Sequence, residues 1–321
     1  MRAMRLLGEG LVEIADVEAP DVDPDLARVR VEASALCGSE IGMLRNGVPP
    51  TLTNLGHEAV GIIESIPSGH GLAPGDRVGI SGLRGCNECA PCKRGQEMFC
   101  DAGAVTQLNL HAEIAQVAPW TLRRLPKGVD PGIGVLLTGD GLGVPVRALR
   151  RVPSQPGERV TVIGLGPVGL SHVLVRAHAG AVVTAVEPSP ARRTLAEALG
   201  AHATHAPGEA LAPADLVIEA TGIPAVIADA FELVSPMGTL LQSGECGAVE
   251  IAPSRHVVHR EITYRGTWFY GREDYDDMLA LHAAGLELGT LVTHDVPAPL
   301  AQAAVTAFLA GETGKVILRW S

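Results

Sequence analysis

Residues 160–169 read Val-Thr-Val-Ile-Gly-Leu-Gly-Pro-Val-Gly, and this stretch decides the fold of the second half of the chain. Its first four residues are all β-branched and predict a short strand, while residues 170–179 have the length and composition of a helix. Glycines between a strand and a helix allow a tight turn and a close backbone approach to a pyrophosphate at the helix N-terminus. The pattern therefore predicts a dinucleotide-binding turn formed by Gly164, Gly166, Pro167, Val168 and Gly169.

Strands and helices alternate after this turn. We predict strands at residues 181–186, 216–219 and 239–242, with helices at residues 191–199 and 225–233. Such alternation is typical of a parallel sheet that is covered by helices on both faces. The second half of the chain is therefore predicted to be a doubly wound α/β domain.

Four further residues extend the predicted cofactor site. Glu187 follows a predicted strand, where a carboxylate accepts hydrogen bonds from an adenosine ribose diol and repels a 2′-phosphate. This position predicts NAD, whereas the nearby Arg192 favours a phosphate and keeps NADP as an alternative. Thr221 and Ser243 follow later strands and are expected to help position the nicotinamide. The competing interpretation is a glycine-rich turn beside a solvated glutamate.

The first half of the chain follows a different pattern. Residues 27–33 alternate apolar and polar side chains, and residues 60–66 and 75–80 are short apolar segments flanked by glycine and proline. These features predict a loop-rich β domain. A predicted helix at residues 142–151 leads into a turn-rich junction at residues 153–157. A length of 321 residues is in keeping with two domains.

The composition argues against several functional classes. The chain has 36 acidic and 25 basic residues, and its formal net charge of -11 opposes binding to nucleic acids and anionic lipid surfaces. It shows no apolar run long enough to cross a bilayer and no secretory signal pattern. Six cysteines without such a signal predict a cytoplasmic protein. In that compartment cysteines bind metals or take part in catalysis rather than form disulfides.

Four of the six cysteines are closely spaced. Four thiolates within one short segment suit a single tetrahedral zinc ion with no open position, which is a structural site. An iron–sulfur cluster or idle thiols are the alternatives, but the fourth cysteine follows after seven residues and is not followed by proline, unlike the ferredoxin pattern. The predicted structural zinc ligands are Cys86, Cys89, Cys92 and Cys100.

Two more fragments, Cys37-Gly-Ser-Glu and Gly56-His-Glu, are common when taken alone. Together with the cysteine quartet and the glycine turn, they stand in the order and approximate spacing of a known family. The chain resembles the zinc-dependent medium-chain dehydrogenases, the superfamily of alcohol, polyol and threonine dehydrogenases. The resemblance covers essentially the whole chain, including the Gly311-Glu-Thr-Gly turn before the closing strand.

The resemblance implies an α/β protein with two domains. A GroES-like, β-rich catalytic domain is expected at residues 1–143 and 271–321, with the structural zinc lobe at about residues 84–102. A Rossmann dinucleotide-binding domain is expected at residues 144–270.

The family also implies a second, catalytic zinc. By motif matching, Cys37 and His57 take its first two ligand positions, and Asp140 takes the third, where polyol and sugar dehydrogenases carry glutamate. A shorter aspartate departs from that pattern but remains a competent zinc ligand. Glu58 resembles a residue that can bind the metal directly, so the fourth position is expected to exchange between Glu58 and water.

Two neighbours of Cys37 have implied roles. Glu40 matches the carboxylate that orients the zinc-bound histidine. Ser39 resembles the hydroxyl that passes the substrate proton outward, but the histidine that continues this relay in alcohol dehydrogenases is replaced by Gly42. The proton would then leave through the cofactor ribose and water, or by way of Glu58.

The resemblance implies an oxidoreductase of the class EC 1.1.1.- with two zinc ions per chain, one catalytic and one structural. It would transfer a hydride between NAD(H) and a small polar secondary alcohol, such as a polyol, sugar, cyclitol or hydroxy amino acid, and would form a homodimer or homotetramer. One alternative is an NADPH-dependent primary alcohol or aldehyde reductase. The alternative of another class is a non-catalytic, zinc-stabilised nucleotide-binding protein.

Overall fold

The computed structural model describes residues 1–47 and 55–320 and separates the chain into two units. The first unit comprises Met1–Gly143, Tyr270–Ala280 and Val292–Ser321. The second comprises Val144–Phe269 and Leu281–Leu291.

A seven-stranded sheet is the framework of the first unit. Its central strand, Ala27–Leu36, buries Val29 and Val31 on the face that packs into the core. Across the sheet the order is Val292–Pro297, Lys315–Arg319, Ala27–Leu36, Ala59–Ser65, Arg77–Ile80 and Leu122–Arg124, with Ile114–Val117 also paired to the central strand. All of these pairs are antiparallel except the first.

Smaller elements complete the first unit. Two short antiparallel pairs join Arg2–Gly8 to Leu11–Asp16 and Leu83–Arg84 to Val105–Thr106. The α-helices are Ile41–Asn46, Ala90–Lys93, Pro131–Thr138 and Ala301–Leu309, and the 3-10 helices are Gly38–Glu40, Glu97–Phe99, Pro119–Thr121, Arg272–Asp274 and Ala298–Leu300. Helices Asp140–Arg151 and Tyr275–Ala283 contain the unit boundaries.

The second unit contains a six-stranded sheet in which all pairs are parallel. Across the sheet the strands are Ala203–His205, Val182–Val186, Arg159–Ile163, Ala214–Glu219, Val234–Gln242 and Thr263–Gly266. Numbered along this unit, the order is 3-2-1-4-5-6, which is the doubly wound dinucleotide-binding order. The α/β architecture predicted from the sequence is therefore confirmed.

Helices connect the parallel strands of the second unit. They are Pro167–His178, Pro190–Ala198, Pro224–Leu233 and Pro253–His256, with a 3-10 helix at Val258–Arg260. A further 3-10 helix of this unit, Leu288–Leu291, follows the last strand. Each α-helix starts with proline, whose fixed φ and missing N–H suit the first helical position. Ile163, Val217, Phe231 and Leu240 lie in the buried core between sheet and helices.

Among the described residues, no single helix is long and apolar enough to cross a membrane. One bent pair, Pro131–Thr138 with Asp140–Arg151, reaches the required length and composition only when the two helices are taken together.

The packing of the first unit's sheet can be tested at Gly61. A Cβ at this position would lie 2.2 Å from the backbone oxygen of Arg30, so Gly61→Ala forces two strands apart. We expect the free energy of unfolding, measured by urea denaturation, to fall by about 1–3 kcal/mol. Gly266→Ala, in a strand where the new Cβ meets nothing within 4 Å, is the control. Equal stability of the two variants would contradict this packing.

Candidate functional site

Two neighbouring strands bring Cys37 and His57 together. Cys37 follows strand Ala27–Leu36, and His57 lies just before strand Ala59–Ser65. Because these strands are antiparallel, the end of the first and the start of the second lie at the same edge of the sheet. The topology therefore places both side chains at that edge.

Asp140 reaches the same place from the start of a helix. Gly139 caps the end of helix Pro131–Thr138, and helix Asp140–Arg151 begins at the next residue. A Cβ at Gly139 would lie 2.6 Å from the carbonyl oxygen of Val135, so a larger residue would have to shift the turn. Glycine thus permits the sharp break that aims the aspartate.

The donor atoms of Cys37, His57 and Asp140 lie within 4.8 Å of one another. Asp140 Oδ2 lies 3.9 Å from the Cys37 sulfur and 3.3 Å from His57 Nε2. Ordinary bond lengths around a tetrahedral zinc give sulfur–oxygen and nitrogen–oxygen separations of about 3.6 and 3.4 Å. The donor set therefore fits zinc with three protein ligands and one open position, as in catalytic rather than structural sites.

Electrostatics also link these three groups. Burial raises the pKa of the Cys37 thiol, and the Asp140 carboxylate raises it further. Burial alone would lower the pKa of His57, but Asp140 and Cys37 hold it well above its usual value. Burial alone would raise the pKa of Asp140, but a hydrogen bond with Glu58 and the nearby His57 hold it well below its usual range. The cluster thus attracts positive charge.

Glu58 is not part of this donor cluster in the described structure. Its Oε2 pairs with Lys315 Nζ, and its Oε1 accepts a hydrogen bond of 3.0 Å from the Gly141 amide. Both charged side chains are almost fully buried. Burial raises the pKa of Glu58, and the charge of Lys315 opposes that rise. The carboxylate is thus held by a cation of the protein itself.

Glu40 and Ser39 lie in the 3-10 turn that follows Cys37. The fully buried Glu40 accepts hydrogen bonds from the amides of Cys37 and Gly56, and its Oε1 lies 3.5 Å from His57 Nδ1. This arrangement leaves His57 Nε2 directed to Asp140. The side chain of Ser39 is exposed, beside the cluster in sequence.

The structure also brings the cysteine quartet together. Its four sulfur atoms lie within 4.8 Å of one another, with the Cys86–Cys92 and Cys89–Cys100 pairs at 4.0 Å. A tetrahedral zinc–thiolate site requires sulfur separations of about 3.8 Å. Backbone amides of Glu88 and Cys89 point to the Cys86 sulfur, and these bonds lower its pKa to about 6. Four such donors fit a closed zinc site.

The glycine turn lies at the end of strand Arg159–Ile163. Gly164 has a φ of +87°, and a Cβ at Gly169 would lie 1.8 Å from the Gly164 oxygen. Gly166 caps helix Pro167–His178, and a Cβ there would meet nothing within 4 Å. The backbone is therefore open at the helix N-terminus, where amides can bind an anion. Val168 lies in the first turn of the helix.

Glu187 directly follows strand Val182–Val186 and contacts the glycine turn. One carboxylate oxygen accepts a hydrogen bond of 2.9 Å from the Leu165 amide, and the other accepts one of 3.1 Å from the Ser189 amide. Arg192 lies in the following helix, where burial lowers its pKa and the charge of Glu187 opposes that effect. Glu187 and Arg192 are thus close enough for their charges to interact.

Thr221 and Ser243 lie at the same edge of the parallel sheet. The Thr221 hydroxyl donates to the buried Glu219, and a Cβ at Gly164 would lie 2.5 Å from Thr221 Cγ2. The Ser243 hydroxyl is 3.0 Å from His172 Nε2, and burial holds the pKa of His172 well below its usual value. The predicted cofactor residues thus lie at the carboxyl ends of the strands, where ligands bind in such folds.

Sequence reasoning missed Lys315 as the partner of Glu58. Lysine directly before the apolar residues 316–318 is the one available signal, because a buried lysine requires a counter-charge. Nothing local in the sequence identifies Glu58 as that counter-charge.

Two protein-family models match different parts of the chain. The model of the alcohol dehydrogenase GroES-like domain matches residues 23–127, and that of the zinc-binding dehydrogenases matches residues 167–284. The chain is 28% identical to probable D-xylulose reductase A of Neosartorya fischeri, over 96% of this chain and 93% of that protein. It is 26% identical to L-threonine 3-dehydrogenase of Paraburkholderia phytofirmans, over 96% of this chain and 95% of that protein.

Solved structures give the same result. Alcohol dehydrogenase TADH from Thermus sp. ATN1 is similar with a TM-score of 0.87 and 29% identity, and the match covers 99% of each chain. The fold class predicted from the sequence, a GroES-like domain with a Rossmann domain, is therefore confirmed.

The buried pair of Glu58 and Lys315 generates a stability prediction. Lys315→Met leaves a buried carboxyl without its cation, so the free energy of unfolding should fall by about 3–5 kcal/mol. The double variant Lys315→Met with Glu58→Gln should recover most of this loss, because the amide is neutral and can still accept from Gly141. Urea denaturation measures the free energy of unfolding of both variants, and Lys127→Met, at an exposed lysine, is the control. A single variant as stable as the wild type would contradict the pair.

Proposed function

Because this chain belongs to the zinc-dependent medium-chain dehydrogenase/reductase family, we propose that it is an oxidoreductase acting on a small, polar secondary alcohol. It transfers a hydride between NAD(H) and the hydroxyl or carbonyl carbon of that substrate. The observation that carries this proposal is the cluster of Cys37, His57 and Asp140, whose donor separations suit zinc and leave one ligand position open.

These three residues would hold the catalytic zinc. Zinc bound there supplies a Lewis acid, which lowers the pKa of an alcohol or polarises a carbonyl. With the metal bound, Cys37 would contribute a thiolate and Asp140 a carboxylate, and the ion would neutralise both charges in this buried setting. Glu40 accepts from Nδ1 of His57, which fixes the ring so that its Nε2 lone pair faces the cluster.

Ser39 is proposed to move the substrate proton to solvent. Its hydroxyl is exposed and lies two residues from Cys37, in the 3-10 turn Gly38–Glu40. A hydroxyl can accept one proton while it donates its own, so it suits a relay. Gly42 supplies no side chain to continue the path. The remaining steps are therefore left to the cofactor ribose and water.

The glycine turn is proposed to bind the pyrophosphate of NAD. The open backbone at Gly166 and the N-terminus of helix Pro167–His178 favour an anion. Glu187 is held beside this turn by its bond to the Leu165 amide, with a carboxylate in place to accept from ribose hydroxyls. The same negative charge disfavours a 2′-phosphate, which is the basis for preferring NAD.

The cysteine quartet is proposed to bind the second zinc. All four coordination positions would be filled by sulfur, so no position remains for a substrate. Its role is therefore structural, and the protein would contain two zinc ions per chain.

The substrate class rests on the relatives and on the ligand set. D-xylulose and L-threonine, named in two relatives, both present a polar chain around a carbonyl or secondary hydroxyl carbon. The proposed third zinc ligand, Asp140, is a carboxylate, the ligand type of the polyol and sugar dehydrogenases that the chain resembles. Both points support a polar secondary alcohol rather than a simple alkanol. Homo-oligomer formation and a cytoplasmic location stay predictions.

The metal centre can be tested with Cys37→Ser. We expect the zinc content to fall from two ions to one, and kcat/KM for NAD-dependent oxidation of a polyol panel to fall by about 10³-fold or more. NADH binding, measured by fluorescence, should be unchanged, because the predicted nucleotide site lies on the other unit. Cys246→Ser is the matched control, since this cysteine lies outside both clusters. Full activity of Cys37→Ser would overturn the proposal.

Cofactor preference can be tested at Glu187. The wild type should use NAD+ better than NADP+, and Glu187→Gln should narrow the ratio of kcat/KM values by about tenfold, which corresponds to about 1.4 kcal/mol. Glutamine removes the charge but keeps an oxygen that can accept from the Leu165 amide. Steady-state kinetics with both cofactors measures the ratio, and the exposed Glu250→Gln is the control. A wild type that prefers NADP+ would support the reductase alternative instead.

A further inference from the structure

A buried chain of polar side chains lies behind the candidate catalytic site. The Trp320 indole donates to the Ser34 hydroxyl at 2.8 Å, and the same hydroxyl is 2.8 Å from His111 Nδ1. His111 Nε2 in turn lies 3.5 Å from Glu40 Oε2, and Glu40 Oε1 lies 3.5 Å from His57 Nδ1. All five side chains are buried, and Ser34, Glu40 and His111 are fully so. The chain therefore connects the closing segment of the first unit to a predicted zinc ligand.

The donors and acceptors along this chain favour one arrangement of protons. An indole N–H can only donate, so Ser34 Oγ accepts from Trp320. The hydroxyl proton of Ser34 then points to His111 Nδ1, which leaves the proton of a neutral imidazole on Nε2. That N–H faces Glu40, which accepts it. Every proton in the chain has an acceptor in this arrangement.

The backbone holds His111 against the turn that carries His57. The amide of His111 donates to the Leu55 oxygen, and the amide of Leu110 donates to the Gly56 oxygen, both at 3.1 Å. Gly56 has a φ of +100°, and a Cβ there would lie 2.5 Å from the His111 nitrogen. A close approach of these two segments is thus built into the backbone, so His111 has little freedom to move away from Glu40.

Glu40 has contacts on both of its oxygens. Oε1 accepts from the Gly56 amide at 2.8 Å and faces His57, while Oε2 accepts from the Cys37 amide at 3.0 Å and faces His111. Without the His111 contact, Oε2 keeps only the Cys37 amide among the partners described here. The carboxylate would then be freer to rotate, and its hold on His57 would loosen.

We propose that His111 is a positioning residue for the metal centre of Cys37, His57 and Asp140, acting by fixing the Glu40 carboxylate that orients His57. The inference rests on the proposed function, because it takes that cluster to be a zinc site. His111 reaches the predicted ligand His57 through Glu40, and it lies just before strand Ile114–Val117. Partners of this kind around a ligand typically change metal affinity by about 10–100-fold when they are removed.

Two substitutions of His111 separate this role from simple packing. Glutamine places its amide nitrogen near the position of Nε2 and can still donate to Glu40. Asparagine places a polar atom near Nδ1, can still contact Ser34, and does not reach Glu40. Both variants remove the ring and leave a polar side chain in the same buried position, so a purely structural role would affect them similarly.

The measurement is zinc affinity in the full-length protein. Zinc release to a chelator is followed in the wild type, His111→Asn and His111→Gln, and the Cys37→Ser variant identifies which release phase belongs to the candidate catalytic site. The quartet provides an internal reference in each sample. His70→Asn, the same substitution at an exposed histidine of the same unit, is the control.

We expect His111→Asn to weaken zinc binding at the Cys37 site by about 10–100-fold, with the quartet phase unchanged. The zinc affinity of His111→Gln at this site should stay close to that of the wild type. When Co²⁺ replaces zinc at the site, its absorption spectrum should be shifted only in His111→Asn. If His111→Asn does not fold, Ser34→Ala, which removes the group that sets the His111 tautomer, should weaken zinc binding at this site severalfold.

Unchanged zinc affinity at the Cys37 site in His111→Asn would overturn the inference. Equal losses of zinc affinity in both His111 variants, together with a loss of thermal stability, would also overturn it. When Ser34→Ala carries the test, unchanged zinc affinity in that variant has the same meaning. A wild-type protein that takes up no metal at Cys37 overturns both this inference and the proposed function. A wild type that binds zinc there and shows the expected difference, but oxidises no alcohol, contradicts the proposed function alone.

Discussion

The close approach of two acidic donors inside the first unit is the constraint on which the candidate site depends. The Cys37 sulfur and the Asp140 carboxylate lie 3.7 Å apart and are largely buried. Two negative charges about 4 Å apart repel by about 4 kcal/mol at an effective dielectric constant of about 20. Burial raises the pKa of Cys37, this repulsion raises it further, and a bound cation would offset the repulsion. The protein thus holds a geometry that favours a metal ion.

The fold produces both candidate sites by the same means, which is to collect side chains where strands end. In the antiparallel sheet, the turn after Ala27–Leu36 and the approach to Ala59–Ser65 meet at one edge and supply a thiol and an imidazole. In the parallel sheet, the carboxyl ends of Arg159–Ile163 and Ala214–Glu219 meet at the point where strand order reverses. Cys37 and the glycine turn at Gly164 therefore both directly follow strands.

Local patterns were enough to predict the parts of the structure that are specified locally. The β-branched run before Gly164 and the helix after it predicted the dinucleotide-binding unit, because strand, turn and helix each have their own sequence signal. The contact between Glu58 and Lys315 has no such signal, since 257 positions separate the two residues and either could have been solvated. The same holds for His111 and Glu40, whose proximity depends on the approach of Leu110 to Gly56 across two segments.

The partners of Glu58 bear on how the fourth position of the candidate metal site would be filled. For its carboxylate to become a zinc ligand, it would have to leave both the Lys315 ammonium and the Gly141 amide. Lys315 would then be a buried cation without its main partner, a change that costs about 3–5 kcal/mol in comparable cases. A water molecule or a substrate oxygen reaches the open position without that loss. The buried pair therefore favours an exchangeable oxygen ligand over Glu58 at the candidate site.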